Sequence, residues 1–547
     1  MRSLIHRFEL ARWLALALAA AVAGCSSPGS AGGTPASSAA EADAIAAETG
    51  MPARLHADAG GIAWIRGNID AAFSTARSTH RPVLLYWGAQ WCPPCQQLKA
   101  TVFSRPDFIA KTRLFVPVYL DGDDPGAQKW GEQFNVQGYP TVLVLDADRR
   151  EVLRIAGGMD LTQYASVLDN ALADLQPVDE LLRKSATTPL DDNECHRLAY
   201  NSWELDYIDV RQYPQRAAAL EQAAAHCPAA ATSDRGRLLL VAADYRAGAT
   251  KGASKPGGRV DPLLAARIRD IGAMLDDPRQ VAANGDLLLY LDDNLFGAVK
   301  RLGPAAPRDF AVKYSNAMDD ISGNQNLAEA DRLSALGSKM RAAKLLSEDG
   351  KLPAALAKDG RDALDAVLKE RQTPYVRSGI INSALPIFEL LGEQEQAYAL
   401  VQGELATAEA PYYFKADLAD LAEQLGRRQE AVKWLAEAYD ESRGPATRFQ
   451  WGAIYVSGLI RLDPDDGARI QSVGEQVLGE LAGPDRIYRR ARLRLASLGD
   501  ELEKWNAHAK GAHAAVIKAL HARMQTICVG IPAADDARRS CDSFLAG

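Results

Sequence analysis

The chain has 547 residues, 47% of them hydrophobic, with 62 Lys and Arg against 70 Asp and Glu for a formal charge of −8. That is enough apolar material for two or more cores, and the mild acidity with no basic block excludes a nucleic-acid partner.

Arg2, His6, Arg7 and Arg12 make a positive start, and the apolar run from Trp13 to Gly24, twelve residues, is too short to span a bilayer as a mature helix. Residues 1–24 therefore read as a secretory signal peptide. The run closes on Val22, Ala23, Gly24 and Cys25, which resembles the bacterial lipobox, whose cysteine is lipidated and becomes the first mature residue. Cys25 is expected to be a lipid anchor holding the protein to the membrane in the periplasm. Ser26 rather than Asp after it favours the outer membrane. Residues 25–55 read as a flexible tether, rich in Ser, Gly, Ala and Pro as far as Ala47, with a reach of about 25 to 30 Å for about 25 residues. With Cys25 set aside, six cysteines remain, Cys92, Cys95, Cys195, Cys227, Cys528 and Cys541. An even number in an exported chain points to three pairs, one catalytic and two structural.

Residues 56–176 alternate between helical and strand patterns. Asn68 to Thr79 carries the stripe Ile69, Ala72, Phe73 and Ala76 at helical spacing. Pro82 to Trp87 is a short apolar strand running straight at Cys92-Pro93-Pro94-Cys95, and Pro93 to Val102 is helical again. Ser104 is expected to cap a further short helix at Pro106 and Asp107. Leu114 to Leu120 reads as a strand, and Asp124 and Pro125 open a helix through Phe134. Thr141 to Leu145 and Glu151 to Ile155 make a hairpin over the turn residues Asp146 to Arg149, and Leu161 to Leu175 closes as an amphipathic helix. The sum is an α/β domain layered around a central sheet. Two cysteines two residues apart, where a strand turns into a helix, form a dithiol that opens and closes while the fold stays put. A zinc site would need a second ligand pair, and no metal or other cofactor is expected.

Arg81-Pro82-Val83-Leu84, the motif from Trp91 to Cys95, Lys99 and Phe103 on the following helix, and Val136-Gln137-Gly138-Tyr139-Pro140-Thr141 occur in this order. Together they resemble the thioredoxin superfamily, and within it the C-terminal domain of the DsbD family and related exported thioredoxin-like lipoproteins. The resemblance covers roughly 115 residues and implies a thioredoxin-like fold with Cys92 and Cys95 as its catalytic, redox-active pair. It also implies that Cys92, at the helix N-terminus where the dipole favours thiolate, attacks a substrate disulfide and that Cys95 resolves the mixed disulfide. Pro140 corresponds to the family's cis-proline, the Tyr139 backbone would pair with an extended substrate, and Trp91 and Tyr139 would flank the sulfur as an apolar docking surface.

Two departures stand out. Six residues before Cys92, where most of the family carries a buried Asp, this chain has Tyr86; either Glu132, Lys99 or a water replaces that base, or resolution is slow and depends on the partner. Pro93 and Pro94 lack N–H groups, leaving the Cys95 amide and the helix dipole to stabilise a Cys92 thiolate. A less stabilised thiolate holds its disulfide more firmly, which places the couple on the reducing side of the periplasmic range.

Beyond the boundary expected at Gln176 to Asp179, residues 177–547 turn to Ala, Leu, Glu and Arg with long helical periods. Leu391-Gly392-Glu393-Gln394-Glu395-Gln396-Ala397 recurs as Leu425-Gly426-Arg427-Arg428-Gln429-Glu430-Ala431, 34 residues on. That is the tetratricopeptide period, with Gly at the inter-helix turn and Ala where the helices touch. The region is read as a helical-hairpin solenoid, weakly tetratricopeptide-like, with an irregular bundle as the alternative; a solenoid recruits or orients a protein. Cys195 with Cys227, and Cys528 with Cys541, are expected to staple neighbouring helices. His196 and His226 sit beside cysteines, yet helix neighbours diverge by about 100° and rarely share a metal. His508, His513 and His521 read as a solvated face, and Asp121, Asp123 and Asp124 as turn and cap residues. The expected function is a lipid-anchored thiol:disulfide oxidoreductase acting on protein disulfides, with a membrane electron donor of DsbD type. The alternative is a helical-repeat interaction lipoprotein that uses the α/β domain as a binding module.

Overall fold

The computed structural model describes residues 56–57, 61–124, 126–156, 161–205, 208–249, 259–483 and 486–546. The expected signal segment 1–24, Cys25 and the tether to residue 55 lie outside the described residues.

The α/β domain is built on β1 (His56–Ala57), β2 (Ala63–Arg66), α1 (Ile69–Thr79), β3 (Val83–Gly88), α2 (Pro93–Leu98), α3 (Pro106–Thr112), β4 (Val116–Asp121), α4 (Ala127–Gln133), β5 (Thr141–Leu145), β6 (Glu151–Ala156) and α5 (Leu161–Ala173). The strand order is β1-β2-β4-β3-β5-β6, with β3 parallel to β4 and antiparallel to β5. Every residue of β3 is buried, as an uninterrupted apolar run requires when both faces of a sheet are covered. Val83, Leu85 and Trp87 face one core with α1, α4, Cys92 and Cys95. Leu84 and Tyr86 face the other, with α3 and α5. Asn68 caps α1 by accepting from the Ala71 amide at 2.9 Å, and the predicted stripe of that helix is buried.

Four local expectations shift, the first being the helix expected to open at Asp124 and Pro125, which starts at Ala127 with Gly126 at its N-cap. The helix after the cysteines is α-helical only to Leu98 and continues as a π-helical turn, Lys99–Phe103. Ser104 does not cap α3; its hydroxyl donates back to the Ala100 carbonyl at 2.7 Å, a bond that competes with capping, and Arg105 occupies the cap position without a side-chain capping bond. The strand expected from Leu114 starts at Val116, because Leu114 closes a turn onto Lys111 with its amide at 3.0 Å and lies exposed.

Past α5 every described element is helical: α6 (Val178–Lys184), α7 (Asp192–Tyr200), α8 (Tyr213–His226), α9 (Thr232–Ala249), α10 (Pro262–Met274), α11 (Pro278–Leu288), α12 (Asp293–Arg301) and α13 (Ala306–Gly323), with short 3₁₀ turns between. There follow α14 (Glu329–Leu346), α15 (Ala354–Lys369), α16 (Pro374–Leu391), α17 (Gln394–Glu404), α18 (Pro411–Gln424), α19 (Arg428–Glu441), α20 (Pro445–Leu462), α21 (Gly467–Gly479), α22 (Arg489–His508), α23 (Ala514–Ile527) and α24 (Asp536–Ser543). The 34-residue repeat is structural. Gly392 and Gly426 end α16 and α18 at φ +74° and +75°, the left-handed conformation that favours glycine. The next amides, Glu393 and Arg427, bond back to Phe388 and Ala422 at 2.9 and 2.8 Å, and Ala397 and Ala431 are fully buried between helices. A third hairpin, α20 and α21, turns without glycine: Pro464 follows the helix end and Asp466 caps the next helix, accepting from Arg469 at 3.0 Å. Its different turn chemistry hid it from the sequence pattern.

The change of character near residue 177 is not a break in packing. The Tyr86 core continues into α6 to α9, and the Trp87 core runs on through helices from α14 to the C-terminal segment. The edge of β6 is covered at Arg154 by the same region: the Arg154 amide donates to Asn201 Oδ1 at 2.8 Å, and the Ser202 amide donates to the Arg154 carbonyl at 2.9 Å, which takes up exposed ladder groups there.

Disulfides join Cys195 in α7 to Cys227 at the end of α8, and Cys528 at the end of α23 to Cys541 in α24. His196 and His226 go to separate partners, Asp234 and the Ser185 carbonyl, and among the described residues no cluster of His, Cys, Asp or Glu is arranged to hold a metal. No described helix is long and apolar enough to cross a membrane. Replacing both Cys195 and Cys227 with Ala opens a loop of 32 residues' separation and is expected to cost about 3 to 4 kcal/mol by loop entropy. Urea denaturation checks this; an unchanged midpoint would count against the staple.

Candidate redox site

Strand β3 delivers the chain to the cysteines, and the Cys92 amide closes the intervening turn on the Ala89 carbonyl at 3.3 Å. Cys92 is the N-cap of α2, with extended backbone (φ −82°, ψ 112°). Pro93 and Pro94 fill the first helical positions, where an N–H has no intrahelical partner, so the helix starts abruptly. The first available amide is that of Cys95, and it donates to Cys92 Sγ at 3.3 Å. The two cysteines are joined as a disulfide, with Cα atoms 5.2 Å apart. Gln96 Nε2 ties the loop to the helix by donating to the Gln90 carbonyl at 2.8 Å.

The peptide bond Tyr139–Pro140 is cis, and its loop meets the cysteine loop through two rings. Tyr139 stacks on Trp87 at 6.0 Å and packs edge-to-face on Trp91 at 5.7 Å. Cys92, Cys95, Trp91 and Tyr139, separated by up to 48 positions in the chain, thus share one cluster.

The stretch 69–172 matches the family model of the thioredoxin-like domain. Residues 69–172 form a thioredoxin-like domain. Over 92 residues the chain is 27% identical to the thiol:disulfide interchange protein DsbD of Photorhabdus laumondii, covering 16% of each protein. It is 29% identical over 107 residues to DsbD 1 of Pseudomonas aeruginosa, 19% of this chain and 18% of that one. A thioredoxin of Acidithiobacillus ferridurans is 28% identical over 104 residues, 19% of this chain and 92% of that one. The chain spans less than a fifth of the length of these DsbD proteins, so the likeness concerns the thioredoxin-like domain alone.

The helical region sits on the face of this domain that carries the cysteines. Trp91 Nε1 donates to Thr447 Oγ1 at 2.9 Å; the Thr447 hydroxyl donates to Asp123 Oδ2, and the Thr447 amide donates to Asp123 Oδ1 at 2.9 Å. The indole of Trp91 stacks on Tyr413 at 6.0 Å and meets Trp451 edge-on at 6.2 Å. Arg490 lies over the Tyr139 ring at 4.6 Å. On α2, Gln97 Nε2 donates to Asp331 Oδ2 at 2.8 Å. On α4, Glu132 pairs with Arg492 at 3.0 Å and accepts the Arg489 amide at 2.9 Å. As a result Cys92 is 3% exposed, Tyr139 4% and Trp91 9%, and the expected docking surface is covered.

Of the groups considered as substitutes for the missing acid, Glu132 is committed to that ion pair. Burial raises its pKa, but the bonds from Arg492 and the Arg489 amide outweigh burial and hold it below the usual carboxylate range. Lys99 lies beside Tyr86: its Nζ is 5.0 Å from the Tyr119 ring and 6.0 Å from the Tyr86 ring, and those rings stack on each other at 5.2 Å. Tyr86 points into the core opposite Trp87.

Asp123 is more than a turn residue. Burial raises its pKa, opposed by the bonds from Thr447. Asp331 behaves alike: burial pushes its carboxyl from 3.8 up to about 6, with the Gln97 bond working against the shift and Asp286 adding to it. Neither was recognisable from local sequence, since their partners lie 324 and 234 positions away.

A carboxyl whose folded-state pKa is raised contributes stability below its unfolded pKa and loses it as pH rises through the folded value. Asp331 therefore favours the folded state fully below about pH 4, and by pH 7 about 3 kcal/mol of that is gone, from the shift between 3.8 and about 6. Asp331→Asn, which keeps an acceptor for Gln97, is expected to remove this slope. Urea midpoints from pH 4 to 7 for the two proteins check it; parallel curves would contradict the assignment.

Proposed function

We propose that this protein is a thiol:disulfide oxidoreductase that reduces protein disulfides through Cys92-Pro93-Pro94-Cys95. The observation that carries the reading is a cysteine pair at a helix start against a cis-proline loop, in a thioredoxin-like domain that is similar to part of proteins named for thiol:disulfide interchange. The Cys92 thiolate attacks one sulfur of a substrate disulfide, forming a mixed disulfide and releasing the other substrate sulfur as a thiolate. Cys95, deprotonated, then attacks Cys92 Sγ, breaking the mixed disulfide and releasing the second substrate thiolate. Two electrons pass from the dithiol to the substrate. The protein is left as the Cys92–Cys95 disulfide, and a membrane electron donor of DsbD type restores the dithiol. Of the donors around Cys92, the Cys95 amide supports its thiolate, and the prolines contribute none, which favours a reducing couple.

In this reading Cys25 is lipidated after removal of residues 1–24, residues 25–55 tether the protein in the periplasm with the outer membrane favoured, residues 56–176 carry the chemistry, and residues 177–547 select clients or the donor. Trp91, Tyr139 and Pro140 form the substrate-facing surface. A second reading draws on the burial of Cys92 and Trp91: an interaction lipoprotein in which the thioredoxin-like domain is a binding module with little turnover.

Insulin reduction by the full chain is expected to be abolished by Cys92→Ser. Cys95→Ser should accumulate mixed disulfides on Cys92, separable on non-reducing gels and identifiable by mass spectrometry. An empty trap, with full biological function in a Cys92→Ser, Cys95→Ser double variant, would favour the second reading.

A further inference from the structure

We infer that the helical region is a movable cover that closes the thiol site, and that disulfide exchange with a protein substrate proceeds only when α18, α20 and α22 swing away from Trp91 and Tyr139. The inference rests on the oxidoreductase reading for its consequence, but its geometry stands apart from it.

In-line attack on a disulfide needs the incoming sulfur to approach Cys92 Sγ directly, with the substrate chain laid beside the cis-proline loop. Cys92 is 3% exposed and Tyr139 4%, and the space in front of Trp91 holds Tyr413 and Trp451. A protein disulfide has no room there. The cover belongs to the same chain, so closure carries no concentration dependence and its strength alone sets how often the site opens.

The polar contacts across this face are suited to release. At its centre Trp91 Nε1 donates to Thr447, which donates to Asp123. At one side Gln97 donates to Asp331. Asp123 and Asp331 thus go into the contact with neutral hydrogen-bond partners, and each has its pKa raised by burial. Burying a carboxylate this way costs free energy that opening returns. At the far side Arg492 gives Glu132 two bonds at 3.0 Å, a separate anchor worth up to about 1 kcal/mol that opening releases. Gly444 lets the α20 start come down onto Asp123, since a Cβ there would lie 2.3 Å from the Asp123 Cβ. Thr447 is the keystone, because one hydroxyl serves both the indole beside Cys92 and the buried carboxylate.

The test uses the reduced full chain and follows alkylation of Cys92 by a bulky polyethylene-glycol maleimide, with insulin reduction measured in parallel. Thr447→Val removes the hydroxyl at nearly constant volume and is expected to raise the Cys92 alkylation rate about tenfold, the size of change one or two lost hydrogen bonds produce, and insulin reduction with it. Thr447→Ser, which keeps the hydroxyl, should stay near the wild-type rate. Arg492→Met loosens a separate anchor and should raise the rate in the same direction, so the outcome does not hang on one variant folding. If Thr447→Val and Arg492→Met both keep wild-type circular dichroism and alkylate within twofold of the wild-type rate, the cover is overturned. If alkylation rises in both while no variant reduces insulin, the cover stands and the oxidoreductase reading fails.

Discussion

Strand β3 is apolar on both faces, and both faces have to be covered. That single constraint organises the molecule. Leu84 and Tyr86 turn to a core that begins in the thioredoxin-like domain and is completed by α6 to α9. Val83, Leu85 and Trp87 turn to a core that passes Cys92 and Cys95 and continues into helices more than 200 residues away. A free-standing redox domain would leave the cysteine end of the second face to solvent. Here the same chain supplies the missing wall, so the chemistry-bearing loop sits inside an apolar environment while β3 fixes its position from below.

The consequence for the cysteines is a site whose local chemistry is sparse. Two prolines remove backbone donors, Tyr86 replaces an acid with an aromatic that packs between Phe103 and Tyr119, and Glu132 is drawn into a bond with Arg492. The polar character that the cysteine loop lacks appears one layer out. Asp123 and Thr447 hold the indole next to Cys92, and Asp331 holds α2 through Gln97. Both bonds cross between the thioredoxin-like domain and the helical region, so they hold only while that region is seated.

Much of this was legible in the sequence where the cause is local. The strand-to-helix switch at Cys92, the stripe on α1, the β5–β6 hairpin and the glycine-closed turns at Gly392 and Gly426 follow from periodicity and backbone preferences that act over a few residues. The π-helical turn at Lys99–Phe103 and the start of α3 at Arg105, without a side-chain cap, were not legible, because they depend on how Val102, Phe103 and Phe108 settle into the core beside Trp64. The covered redox face was not legible either. Thr447 carries no local signature, and its bonds to Trp91 and Asp123 span 356 and 324 positions. Asp123 and Asp124 look alike in sequence as turn residues, and only the seating of α20 makes Asp123 different.

On the proposed function, Cys92 and Cys95 are a reversible couple, chemically distinct from the two staples in the helical region. Equilibrating the full chain against graded dithiothreitol buffers, quenching by alkylation and mapping each cysteine by mass spectrometry separates the couple from the staples. Cys92–Cys95 is expected to open and reclose reversibly at a potential on the reducing side of about −200 mV, while Cys195–Cys227 and Cys528–Cys541 remain closed there. A Cys92–Cys95 pair that stays closed alongside the other two to the reducing extreme, or that opens on the oxidising side of that value, would contradict it.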